Sequence, residues 1–265
     1  MTSNSKKALL LLEGFDENKH FGHSVKCFSE FLENNGYETT ILETSIYELY
    51  DPLIGDDGEA EYSSLPSYLY HKGKVECPDN VRPQDMYSLI YLIFDFEPRY
   101  HKYDESKIIK LQEYFDDETR NGRLYLNYPM VESIFDFVRT DKGVEIRKSF
   151  PLCDCNSEPY KEHIRKDSVF RNPNNGHLYH YLPDDCFAFA ALKSKERYEE
   201  IVGCKASEWT VCDSKRLLEE EIGATKSGFV YPLSAFPFLE LDYNPEAALA
   251  NWSALANSFI SSTKQ

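Results

Sequence analysis

Two long apolar runs divide the first half of the chain into candidate strands. Residues 8–12 have the sequence ALLLL, and residues 89–94 have the sequence LIYLIF. A strand buried on both faces has an unbroken run of this kind, which is typical of central strands in parallel sheets. Acidic residues follow both runs: Glu13 after the first, and Asp95 and Glu97 after the second. The pattern therefore predicts two central strands with carboxylates at their ends, and the alternation of an extended backbone places Asp95 and Glu97 on one side.

The segment between these runs changes to a helical period and then to a short β-branched stretch. Apolar residues at helical spacing predict a helix over residues 21–32 that ends near Gly36. Residues 38–42 (ETTIL) then predict another strand. Strand, helix and strand in this order form a βαβ unit, which predicts a parallel sheet.

Further elements are expected after residue 45. Residues 46–86 are rich in Pro and Gly and predict an inserted, irregular segment with little more than one short helix. An amphipathic helix is expected over residues 106–115 and a strand over residues 123–126. Pro129 is expected to open a helix that continues to residue 138 and carries Glu132 near its positive end.

The pattern changes again near residue 140, where the chain becomes more basic. Helices are expected at residues 187–192, 197–202, 215–222 and 246–260, and residues 229–241 look like a strand interrupted by two prolines. We therefore expect an α/β domain over residues 1–140 and a mixed, α-rich C-terminal extension over residues 141–265.

Composition narrows the class of protein. The 265 residues are 42% hydrophobic and carry a net charge of −16, so a folded core is expected and long, sequence-independent tracking of DNA is not. The composition does not exclude a nuclease with an acidic site, because a divalent metal ion can bridge carboxylates to phosphate. No apolar run approaches the roughly 18 residues of a membrane span, and the first run is too short for a signal sequence, so a cytoplasmic protein is expected.

The cysteines and histidines give only weak evidence of a metal site or a binding site. The seven cysteines are expected to be reduced, and Cys153-x-Cys155 is a weak zinc signal because no second pair accompanies it. His177 and His180 lie beside Tyr179 and Tyr181. Surface positions are the simpler interpretation, although an aromatic patch of this kind also suits a single-stranded base.

Three acidic strand ends together resemble a known family. Glu13-Gly14 after the first strand and Asp95-x-Glu97 after a later one resemble the motif pair of TOPRIM domains, which occur in topoisomerases, primases and OLD-type nucleases. Asn127-x-Pro129-x-x-Glu132 resembles a motif of the RloB-like branch, whose members include effectors of bacterial anti-phage systems. The resemblance covers about residues 7–140 and implies a TOPRIM/Rossmann-like, mostly parallel sheet flanked by helices.

The resemblance also implies site residues. Glu13, Asp95 and Glu132 would be catalytic, and together with Glu97 they would hold Mg²⁺ or Mn²⁺, with Asn127 orienting Glu132. Glu97 departs from the usual Asp-x-Asp pattern by one methylene, which changes the reach of its carboxylate. The basic partner of the site is unassigned, with three candidates: Arg99, Lys102 and Lys107.

The function implied is phosphodiester hydrolysis of DNA, or of RNA such as tRNA, by an anti-phage or abortive-infection effector. Arg147 and Lys148, in the more basic second half, are the expected substrate-binding residues. An ABC-type ATPase is the expected partner, and a homo-oligomer is allowed. Two alternatives stay open: a non-catalytic TOPRIM-fold module that binds a partner ATPase, and a primase-like nucleotidyl transferase.

Overall fold

A five-stranded sheet organises the computed structural model, which describes residues 6–13, 32–155, 157–172, 174–179, 182–205 and 211–263. The strand order is β2-β1-β3-β5-β4. The strands are β1 (Lys6–Leu12), β2 (Tyr37–Glu43), β3 (Leu89–Asp95), β4 (Asp116–Asp117) and β5 (Gly122–Asn127). Strand β1 pairs in parallel with both β2 and β3, in a register that places Leu12 beside Glu43 and Ile93.

The two apolar runs are buried, as expected for central strands of a sheet. Every residue of β3 is buried, and so are Ala8 to Leu12 of β1, whereas β2 at the end of the order is only partly buried. The predictions of a parallel sheet and of two central strands are confirmed. The helix predicted over residues 21–32 lies almost entirely outside the described residues.

Residues 46–86 are more ordered than the sequence predicts. They form α1 (Tyr50–Leu53), α2 (Leu65–His71) and two 3-10 turns, Ile46–Glu48 and Pro83–Asp85. Their apolar residues are buried at Leu49, Leu53, Leu65 and Leu69. The prediction of an irregular insertion with one short helix is therefore wrong in part, because these scattered apolar residues pack into the core without a visible period.

The segment after β3 follows the prediction. Helix α3 (Glu105–Tyr114) begins at Asp104, whose side chain accepts hydrogen bonds from the N–H groups of Ser106 and Lys107. Strand β4 is antiparallel to β5. Gly122 has a φ of +113°, and a Cβ there would lie 2.6 Å from Leu92 and 2.8 Å from Ile90, so only glycine allows β5 to approach β3 this closely.

Residues 128–138 differ from the predicted helix. The Tyr128–Pro129 peptide is cis, a 3-10 helix covers Val131–Phe135, and a strand begins at Phe137. Tyr128 exchanges two backbone hydrogen bonds of 2.8 Å with Leu233, which holds this stretch in a β-bridge. Pro129 therefore precedes the helical turn instead of opening it, and the prediction is wrong at this point.

The second half is mainly helical, as predicted. Its helices are α4 (Ser157–Asp167), α5 (Asp184–Val202), α6 (Val211–Lys226), α7 (Phe236–Tyr243) and α8 (Pro245–Thr263). Two small antiparallel pairs accompany them: β6 (Phe137–Thr140) with β7 (Gly143–Ile146), and β8 (Phe150–Pro151) with β9 (Phe229–Val230). Residues 236–241 are helical rather than strand-like because Pro237 lies in the first turn, where its missing N–H costs nothing.

The chain divides into two compact units. The first contains Ser24–Phe94 and Lys102–Tyr125 together with β1, and the second contains Asp95–His101 and Leu126–Gln265. The sequence prediction placed a single boundary at residues 140/141. Within the described ranges, no helix has the length and apolar character needed to cross a bilayer.

Candidate functional site

The ends of β3 and β5 bring a carboxylate and an amide together in the second unit. Asp95 is the last residue of β3 and Asn127 the last of β5, and both are buried. The Asn127 Nδ2 group donates to Asp95 Oδ1 at 3.1 Å, while Asn127 Oδ1 accepts from the N–H of Ala235 at 2.9 Å. Asn127 therefore orients Asp95, whereas the resemblance implied that it orients Glu132.

Glu97 lies two residues beyond Asp95 in an unusual backbone conformation. Its φ is +36°, a left-handed value that is uncommon outside glycine. Its N–H donates to the Pro129 carbonyl at 2.9 Å, so the chain after β3 continues to pair with the chain after β5. Because the backbone at Glu97 is no longer extended, the same-side argument from strand alternation does not reach this residue.

Burial raises the pKa of the Glu97 carboxyl group. The nearby Lys161 ammonium opposes this shift, and the Glu132 carboxylate adds to it. Glu97, Glu132 and Lys161 are thus within electrostatic range of one another. We call these three residues the acidic site.

Glu132 and Lys161 form the direct contact of the acidic site. Lys161 Nζ lies 3.2 Å from Glu132 Oε1, and the Glu132 side chain is only 9% exposed. Glu132 Oε2 is buried and has no hydrogen-bond partner among the described residues. A buried carboxylate oxygen without a partner is costly, so a water, a cation or a ligand donor beside it would be stabilised.

Lys161 is the basic residue that sequence reasoning missed. It lies in α4, far from the acidic motifs along the chain, so no local spacing could connect them. The three basic candidates proposed from the sequence have different neighbours from those of Lys161. Lys107 pairs with Asp51 at 3.3 Å in the first unit, and Lys102 is exposed. Arg99 lies within electrostatic range of Cys155, where it only partly opposes the rise in the pKa of that thiol.

Glu13 belongs to the first unit and follows β1 directly. Its N–H donates to the Ile93 carbonyl at 3.3 Å, next to the end of β3. The convergence of its carboxylate with those of Asp95 and Glu132 stays a prediction.

The residues of the acidic site fit a divalent cation only in an open form. In the part of the chain that the structure describes, no group of three or more His, Cys, Asp or Glu side chains is arranged to hold a metal. Magnesium, however, is usually held by one or two carboxylates with water and substrate phosphate. The unpartnered Glu132 Oε2 and the partly buried Glu97 carboxyl suit such an open site.

The two expected substrate-binding residues have different surroundings. Arg147 Nε lies 3.0 Å from Asp136 Oδ1, inside a buried network. Lys148 is exposed, and its carbonyl accepts from Arg197 at 2.6 Å. Contact of either residue with substrate stays a prediction, but Arg147 already has a structural role.

The two residues of the Cys-x-Cys pair also differ. Cys155 is buried and Cys153 is exposed, and both are free thiols. Cys155 donates to the Pro151 carbonyl, and burial raises its pKa to about 12. A thiol with so high a pKa is a poor metal ligand at neutral pH.

No protein-family model matches this chain, and no curated protein or solved structure is significantly similar to it.

Proposed function

We propose that this protein is a TOPRIM-like nuclease that hydrolyses phosphodiester bonds of DNA, or of RNA such as tRNA, with Mg²⁺ or Mn²⁺. The observation that carries the proposal is the acidic site, in which Glu97 and Glu132 share one lysine next to the ends of two sheet strands. Ligands of open α/β sheets bind beyond the carboxyl ends of the strands.

Each residue has a chemical role in the proposal. Glu97 would bind the divalent ion as a carboxylate, and because the pKa of this group is raised, the binding should weaken as pH falls. Lys161 places a positive charge beside the substrate phosphate, and Glu132 positions that ammonium group. Asn127 keeps Asp95 in one orientation.

Asp95, Glu97 and Glu132 would hold the metal, and the resemblance adds Glu13. When bound, such an ion supplies an activated water and stabilises the leaving oxygen. The anti-phage role and the ABC-type ATPase partner are supported by the motif resemblance alone.

The experiment is a cleavage assay with purified protein, Mn²⁺ and a panel of plasmid, single-stranded DNA and total tRNA. Glu97→Gln and Lys161→Met should each lower cleavage by about 100-fold or more, because the first removes a proposed metal ligand and the second removes the positive charge beside the phosphate. Lys193 and Glu196 form an exposed ion pair of 2.6 Å on α5 and supply matched controls, Glu196→Gln and Lys193→Met. Absence of cleavage on every substrate, or equal activity of site and control variants, would contradict the proposal.

The alternative is a non-catalytic TOPRIM-fold module that binds a partner ATPase. It is favoured by one observation: Asp95 and Glu132 each already have a protein partner, Asn127 and Lys161. A module of this kind predicts no cleavage and no change of melting temperature with Mn²⁺. Thermal unfolding with and without the ion therefore separates the two proposals before any substrate is known.

A further inference from the structure

A pocket of about 310 Å³ borders the acidic site within the second unit. Glu132 and Lys161 line it, so a ligand in the pocket lies directly beside the site proposed for chemistry. The volume is at the lower end of the roughly 300–1,000 Å³ of small-molecule pockets. It suits one nucleotide-sized group and excludes stacked base pairs.

The apolar wall of the pocket is suited to a flat ring. It consists of Phe135, Ile164, Leu178 and Tyr179. Phe135 and Ile164 are buried, while Tyr179 is partly exposed. Aromatic side chains of this kind stack nucleobases without regard to sequence.

Two arginines add positive charge to the lining of the pocket. Arg171 donates to the carbonyls of Arg165, Lys166, Ser168 and Gly176, so its charge is held in place by oxygens that carry no full negative charge. Arg165 has only a 3.6 Å contact with Glu158, and both side chains are exposed. Together with Lys161, these residues place three cations in the pocket lining, where Glu132 is the one carboxylate among the described residues.

This local charge is opposite to that of the chain, whose net charge is −16. Cations gathered in one pocket attract an anionic ligand even where the whole chain is acidic. An aromatic wall next to guanidinium groups is the combination that binds base and phosphate together.

We propose that this pocket binds one nucleotide of a single-stranded nucleic acid, with the base against Tyr179 and the phosphate toward Arg165 and Arg171. The inference rests on the proposed nuclease function and narrows its substrate to single-stranded or unpaired nucleic acid. The adjacent phosphodiester then lies beside Glu132 and Lys161.

The test measures binding of nucleic acid under conditions that prevent cleavage. A fluorescein-labelled single-stranded oligonucleotide and the matching duplex are titrated with the full-length protein in EDTA, and fluorescence anisotropy reports Kd. Tyr179→Ala removes the stacking ring and should weaken single-strand binding about tenfold. Arg165→Glu should weaken it to a similar degree and lower its salt dependence. The matched controls are Tyr70→Ala and Arg139→Glu, both at exposed positions outside the pocket, and they should bind as wild type does.

The outcomes separate this inference from the nuclease proposal. Equal Kd values for pocket and control variants, or equal binding of single strand and duplex, would overturn the pocket assignment even if the protein cleaves DNA or RNA. Binding of single strands that depends on Tyr179 and Arg165, without cleavage in Mn²⁺, would support the pocket and reject the nuclease. A thermal unfolding scan of each variant confirms that it is folded.

Discussion

Two buried acidic clusters in the second unit differ in how their charges are compensated. In the first, both oxygens of Asp136 have partners: Oδ1 contacts Arg147 Nε at 3.0 Å, and Oδ2 accepts from Tyr160 at 3.1 Å. His163 Nε2 lies 3.7 Å from Asp136 Oδ1, beyond hydrogen-bonding distance, and has no hydrogen-bond partner among the described residues. Burial and the Asp136 charge raise the Tyr160 pKa, so the phenol keeps its proton and remains a donor.

In the acidic site, the carboxylate oxygens are less completely paired than those of Asp136. Glu132 Oε2 has no described partner, the Glu97 pKa is raised, and the Glu97 backbone is left-handed. Fully paired charges are typical of structural networks, whereas unpaired polar atoms and strained backbone are concentrated at functional sites. The comparison therefore assigns stability to the Asp136 cluster and chemistry to the acidic site.

The largest change in stability is expected from a substitution in the Asp136 cluster. Asp136→Ala leaves Arg147 and Tyr160 without their acceptor and should lower the free energy of unfolding by about 3–5 kcal/mol. Urea unfolding measures it. Asp141→Ala, at an exposed turn, is the control and should change little. A loss below about 1 kcal/mol would contradict the structural role of this cluster.

Lys161→Met should have a smaller but clear effect. It removes the cation that contacts Glu132 and lies within electrostatic range of Glu97, and it should lower the free energy of unfolding by about 2 kcal/mol at pH 7. The loss should become smaller as pH falls, because protonation of Glu97 relieves the repulsion. Lys166→Met, exposed on the same helix, should be neutral at every pH. A pH-independent loss would argue that packing alone was removed.

Metal binding should stabilise the wild type at the acidic site only. A divalent ion that binds the folded state at ten times its Kd adds about 1.4 kcal/mol, and Asp95→Asn should abolish this gain. Differential scanning calorimetry in EDTA and then in Mn²⁺ measures both proteins. Asp141→Asn serves as the control and should respond as wild type does. An equal response of wild type and Asp95→Asn would remove Asp95 from the list of ligands.

Glu97→Gly tests whether strain is stored at the acidic site. Glycine adopts a φ of +36° freely, so this variant should gain about 1 kcal/mol of stability while losing cleavage activity. Asn80, an exposed residue with a φ of +65°, provides the matched control. Because asparagine tolerates this region well, Asn80→Gly should gain less. Equal gains in the two variants would argue against strain specific to Glu97.

The smallest expected effect is on the pH dependence of stability. Burial raises the pKa of Glu97 and of Glu221 above the ordinary value of 4.5, so the folded state keeps protons that the unfolded state releases. These two groups should therefore stabilise the folded state most below pH 4.5, and their contribution should fall as pH rises through their folded pKa values.

Glu97→Gln and Glu221→Gln should each flatten this decline, as measured by urea unfolding between pH 4 and pH 8. The control Glu196→Gln, at an exposed position, should keep the slope of the wild type. A slope unchanged in Glu97→Gln would show that its carboxyl titrates as an ordinary exposed group.

Much of the fold was predictable because the responsible signals are local. The apolar runs of β1 and β3 indicate strands buried on both faces, and the spacing in residues 106–115 and 246–260 indicates amphipathic helices. The acidic residues at the strand ends could also be predicted, because each carboxylate directly follows its apolar run in the sequence.

Only the tertiary structure decided which groups share the acidic site. Lys161 reaches Glu132 from a separate helix, Asn127 turns to Asp95 because Ala235 holds its other end, and Tyr128 is drawn into a β-bridge by Leu233. The same applies to the left-handed backbone at Glu97, which the Pro129 carbonyl helps to hold. Local sequence determines propensity and period, whereas the position of a charge or a strained residue depends on contacts between segments far apart in the chain.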